Sequence, residues 1–147
     1  MILSLDSEAL SALAGPDSQA KRRVRQAMEA ARQIRREVVV PSVVLAELQR
    51  GPNGSRQVDA LLARHEGALV CRDTDPRLAR LVGGVLHAAS VGSEDIVDAH
   101  VVAVAVETGG GVVLTADVGD LVRLASPYRS VAVEGLSGGG AERDRGR

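Results

Sequence analysis

Short β-branched apolar runs alternate along this chain with longer stretches whose apolar residues recur every three or four positions. Val38-Val39-Val40 is too short for a helix, suits a pleated buried surface, and is stopped by Pro41. Residues 1–5, 68–71, 112–114 and 130–133 read as strands on the same grounds. Between the first two runs, Ala20, Val24, Ala27, Met28, Ala31 and Ile34 keep helical spacing behind a cap at Asp17 or Ser18, after Gly15-Pro16 breaks a first helix running from Ser7 or Glu8 to about Leu13. Further helices are predicted from Ser42 through Glu47, ended by Gly51-Pro52, and over 55–66, 75–89 and 118–125. Another covers 94–107, with Ser93 as its cap and Glu94 and Asp95 in an acidic first turn. Gly109-Gly110-Gly111 closes that helix. Strands in alternation with helices predict an α/β domain with a central parallel sheet covered on both faces.

The 147 residues, 45% of them hydrophobic, suffice for one domain, expected over 1–134, with a Gly/Arg-rich tail over 135–147 expected to be disordered. Tyr128 is the only aromatic residue, so the core must be aliphatic and base stacking has no platform. One cysteine, Cys71, and three scattered histidines exclude an intramolecular disulfide framework and a Cys/His zinc cluster. The amino terminus reaches Asp6 without a basic leader, and no apolar run is long enough to span a bilayer, so a cytoplasmic protein without a membrane span is expected. The net charge of −1 hides an asymmetry. Lys21 to Arg36 holds seven basic residues against Glu29 alone, leaving 11 basic and 18 acidic residues elsewhere. That stripe suits phosphates or an acidic partner, or is simply a solvated helix face.

In open parallel sheets, sites form where loops leave the carboxyl ends of strands. Asp6 and Asp117 lie at such ends, and Glu47 and Asp98 lie on helices entered from strands or loops, so the four are expected to converge. Crowded carboxylates repel unless protons or cations neutralise them, and an oxygen-only set suits a hard ion, Mg²⁺ or Mn²⁺. Such ions activate water and stabilise charge on a phosphodiester. Each acid also has an ordinary reading. Asp6 would cap the next helix, Glu47 would pair with Arg50, Asp98 would sit in a favourable helix field, and Asp120 would cap the short helix after it.

The local contexts occur in a definite order: Leu5-Asp6-Ser7, Ser42 to Gly51 around Glu47, Val97-Asp98-Ala99-His100 and Leu114-Thr115-Ala116-Asp117-Val118-Gly119-Asp120-Leu121. Together they resemble the PIN-domain family, and within it the VapC-type toxins of bacterial toxin–antitoxin pairs, over residues 1–134. The resemblance implies a three-layer α/β/α fold and a Mg²⁺- or Mn²⁺-dependent endoribonuclease that cuts tRNA, rRNA or mRNA. It also implies a homodimer and neutralisation by a small cognate antitoxin. It assigns the acidic quartet to Asp6, Glu47, Asp98 and Asp117 and matches Asp120 to a further acid. Asp95, which shares a helix face with Asp98, Thr115 and Glu8 are possible supports. Glu8 stands where the family usually has a small residue, and Ala116 replaces a polar one. The alternative is a PIN-like module that binds RNA or a partner without cutting.

Two other acid-bearing folds fit less well. A phosphoryl-accepting receiver domain carries a lysine near its last strands, whereas the only lysine here is Lys21. A haloacid-dehalogenase phosphatase needs a second Asp where Glu8 stands. His100, two residues from Asp98 and on another helix face, is expected to be structural or interfacial.

Overall fold

Every strand pair among the described residues is parallel, as the alternation predicts. The computed structural model describes residues 1–137 and orders β1 (Ile2–Leu5), β2 (Glu37–Pro41), β3 (Leu69–Arg72), β4 (Gly111–Thr115) and β5 (Val131–Gly135) as β3-β2-β1-β4-β5. Central β1 sets Ile2 opposite Glu37 on one side and Gly111 on the other. Parallel neighbours require crossovers. These are α1 (Ser7–Ala14), α2 (Gln19–Gln33), α3 (Ser42–Leu48), α4 (Gly51–Arg64), α5 (Pro76–Ala88), α6 (Ile96–Glu107) and α7 (Val118–Ala125). α1 and α2 pack on one face, with α3 and α4 against α1, while α5, α6 and α7 cover the other. The fold is therefore the three-layer α/β/α arrangement.

Helix α6 explains how an aliphatic chain fills this core. Residues 99–105 are all buried, because α6 lies between the sheet and α5 and α7 and is apolar all round. Valines and alanines let the layers approach closely, and Leu5, Leu10, Leu13, Leu61, Leu78 and Leu114 supply the volume.

Several local expectations shift. Ser18, not Asp17, caps α2 by accepting from the Lys21 amide at 3.1 Å. Gly51-Pro52 does not merely end α3; it opens α4, four residues ahead of the predicted start. Gly51 turns the chain at φ +73°, and Pro52 is tolerated in a first turn, where its missing N–H is not needed. Ser93 does not cap a long helix either. Ser93–Asp95 form one 3-10 turn, and α6 begins at Ile96. Lys21 leaves the basic stripe: it is buried, and its Nζ donates to the Gly15 carbonyl at 2.8 Å, tying the α1–α2 turn. The last strand takes in Gly135, Leu136 is buried, and its amide extends the pairing to the Thr115 carbonyl at 2.9 Å. The rest of the expected tail, from 138, lies outside the described residues. Among the described residues no helix is long and apolar enough to cross a membrane.

Candidate active site

The sheet changes direction at β1, where β2 and β3 build outward on one side and β4 and β5 on the other. A crevice opens at such a switch point, beyond the carboxyl ends of the strands. Asp6 leaves β1 there and Asp117 leaves β4.

Asp6 is only 3% exposed, and its Oδ1 accepts from the Ala9 amide at 2.8 Å, so it does cap α1. Capping occupies one oxygen only. Buried Thr115 links the two strand-end acids: its Oγ1 accepts from the Asp117 amide at 2.9 Å, and its hydroxyl supports the Asp6 carboxylate. Asp117 caps α7, accepting from the Asp120 amide, which takes from Asp120 the capping role the sequence allowed it.

Two serines bring the other acids in. Ser4, buried within β1, donates to the Val101 carbonyl of α6 at 2.9 Å. That bond sets the register of α6 on β1, and one helical turn earlier stands Asp98, at the same end of the sheet as Asp6. Ser7 Oγ donates to Glu47 Oε2 at 2.9 Å, clamping α1 to α3. Glu47 makes no ion pair with Arg50 among the described residues. Ser4 was not singled out from the sequence, where a serine inside the apolar run of β1 was the available signal, and Ser7 entered as part of Leu5-Asp6-Ser7, with no role given to its side chain.

The charges at this rim act on one another. Burial pushes Asp98 up to about 6, helped by the fields of Asp6, Glu47, Asp95 and Asp120. Burial also raises Asp6, and Asp117 adds to it, against the lowering effect of Thr115 and the Ala9 and Glu8 amides. Glu8 is raised by burial and by Asp6, Asp117 and Glu47, against the lowering effect of the Ala116 amide. Asp120 is raised by its hydrogen bond and repulsion with Asp117. The structure thus brings Asp6, Glu8, Glu47, Asp95, Asp98, Asp117 and Asp120 within one another's fields along this rim, and none takes part in an ion pair among the described residues. His100 stands apart. Its Nδ1 donates to the Ile96 carbonyl at 2.7 Å, which leaves Nε2 to accept from the Thr74 hydroxyl at 2.9 Å, a structural role.

Two clefts flank the rim. One of about 740 Å³ runs along α1 past Glu8, Glu47 and Ala116, and one of about 590 Å³ lies between α3 and the start of α6, past Glu47 and Asp98. Among the described residues, no three His, Cys, Asp or Glu side chains already close into a cage for an ion. The acids form an open rim.

A family profile described as PIN domain matches residues 3–126. The chain belongs to the PIN-domain family. PIN domains are generally nucleases that use divalent metals. A solved structure similar to this PIN domain is the VapBC2 complex of Rickettsia felis bound to a DNA fragment from its promoter. The match has a TM-score of 0.61 at 17% identity and covers 92% of this chain and 98% of that one. That likeness is one of fold. A search of curated proteins found no match.

Proposed function

We propose that this PIN domain is a Mg²⁺- or Mn²⁺-dependent endoribonuclease that acts as a VapC-type toxin and is neutralised by a small cognate antitoxin. The observation that carries the reading is the unpaired acidic rim at the switch point, where Asp98 is pushed to about 6. Uncompensated charge of this density is costly and is relieved by a cation. The donors are oxygen only, so the residues fit a hard divalent ion in chemistry and charge, with Asp6, Asp98, Asp117 and Glu47 as its holders. When bound, the ion supplies an activated water and charge stabilisation at a phosphodiester.

The chain's own residues do the rest. Thr115 and the Ala9 amide fix the Asp6 carboxylate, Ser7 aims Glu47, and Ser4 holds α6, which carries Asp98 within the field of Asp6. Asp95, Glu8 and Asp120 add negative potential around that core. The cleft beside α1 has a largely apolar lining, including Ala12, Pro16, Ala20, Leu48 and Leu136, and an acidic end. A neutralising partner with an apolar helix and a basic residue fits it. The same reading includes a homodimer and a cytoplasmic location.

The open arrangement of the acids favours a second reading, an inactive PIN-like module that binds RNA or a partner. Cleavage separates the two. Structured RNA should be cut with Mg²⁺ or Mn²⁺ and left intact with EDTA, and Asp6→Asn and Asp98→Asn should lower the rate at least about a hundredfold while circular dichroism stays unchanged. Cleavage at the wild-type rate by both variants would sink the assignment.

A further inference from the structure

The arginines of α2 and of the turn that follows it have no part in the acidic rim. Arg25, Arg32, Arg35 and Arg36 line a groove of about 460 Å³ whose lining also includes Met28 and Val70. Glu29 and Glu37 also lie on its wall, but Glu29 is held by Arg32 through two bonds of 2.6 and 2.9 Å. Arg25, Arg35 and Arg36 have no carboxylate partner among the described residues; Arg36 donates to the Met1 sulfur, at 3.6 Å. Arg35 sits at φ +55°, in the turn that leads from α2 into β2. The positive field reaches His65 on the same wall, which burial lowers and Arg64, Arg25 and Lys21 lower further.

The position of the groove matters as much as its charge. It takes in Val38 and Ala68, at the amino ends of β2 and β3, whereas the acids follow the carboxyl ends of β1 and β4. Strands of four or five residues, at about 3.3 Å each, put the two sites about 15 Å apart along the sheet. A polyanion approaching the rim meets unpaired carboxylates on a body that carries more acids than bases. The attraction that retains it has to come from elsewhere.

We propose that this groove anchors the phosphate backbone of RNA, gripping a base-paired segment while another part of the same molecule reaches the rim. The inference rests on the nuclease reading and adds the place where substrate is held. Guanidinium edges present paired donors that match phosphate oxygens, and three of them have no carboxylate partner among the described residues. At the roughly 3.4 Å per phosphate of each strand of a DNA duplex, about 15 Å corresponds to four to five base pairs, a guide to the length of RNA stem that reaches from groove to rim.

The test uses the full chain and a fluorescently labelled RNA hairpin with a stem of about ten base pairs, with anisotropy read in EDTA across 50 to 200 mM salt. Arg25→Gln/Arg35→Gln/Arg36→Gln should weaken binding about tenfold or more at 100 mM salt and flatten the salt dependence by about two to three units of log–log slope. With Mg²⁺, KM should rise while kcat holds, and the KM difference should vanish for stems of three base pairs. An unchanged slope overturns the proposal, as does a KM difference that survives in the short stem. Weaker binding of an acidic peptide with RNA affinity intact overturns it too, and makes the groove a protein site. Wild-type binding through these arginines without any cleavage leaves the anchor standing and removes the nuclease reading.

Discussion

Asp98 shows what the rim costs the fold and what an ion would return. Its carboxyl sits near 6 in the folded protein against an ordinary 3.8, so between those values the folded state holds a proton that the unfolded chain has released. Protonation of Asp98 therefore favours the fold fully below about pH 4, and that benefit is lost as pH rises through about 6. Asp98→Asn keeps the shape and removes the charge. In EDTA the variant should melt with the wild type near pH 4 and above it from pH 7 upward, the gap opening across the window between. Thermal denaturation over pH 4 to 8 measures this, and a gap of constant size would contradict the burial and crowding assigned to Asp98.

At the scale of elements, the site depends on how two connections hold β1. Ser4 is the only side-chain bond between β1 and α6 among the described residues. Ser4→Ala should cost about 1 kcal/mol in urea unfolding. It should also lower kcat more than KM changes, because α6 can then slide and carry Asp98 away from Asp6. A variant that loses stability with kcat intact would show that packing alone fixes the helix. The β1–β4 contact depends on Gly111, at φ +154°, where a Cβ would overlap the Ile2 carbonyl oxygen. Gly111→Ala should destabilise by on the order of 3 kcal/mol, read from the denaturation midpoint, since neither the backbone angle nor the space admits a side chain. It would also part the two strands that present Asp6 and Asp117.

Across the whole molecule, charge is segregated, with an acidic rim at the carboxyl end of the sheet and an arginine groove at the other. Binding to the folded state alone stabilises it by mass action, about 2.7 kcal/mol at a hundred times Kd. Mg²⁺ or Mn²⁺ should therefore raise the wild-type melting temperature by several degrees at pH 7. The rise should shrink strongly in Asp6→Asn/Asp98→Asn, and Ca²⁺ in place of Mg²⁺ should stabilise without supporting equal cleavage. A melting temperature indifferent to every divalent ion would refute the metal site.

The sequence by itself determined most of the architecture, because strand and helix signals are local. Val38-Val39-Val40 before Pro41 and the spacing of Ala20 to Ala31 each point to one kind of element, and their alternation leaves a covered parallel sheet as the answer. It also marked the acids at the ends of those elements. Only the tertiary structure decided which side chains meet. Ser4 with Val101 and Ser7 with Glu47 are separated by 97 and 40 residues, so no local pattern pairs them. Lys21 looked like one more charge on a basic helix until the α1–α2 turn folded over it and supplied a carbonyl. Nor does residue order contain the displacement of Asp98 toward 6, because desolvation and repulsion depend on distances through space. The four carboxylates were legible as candidates, but their shared rim exists only once β1 and β4 lie side by side and α6 is locked across them.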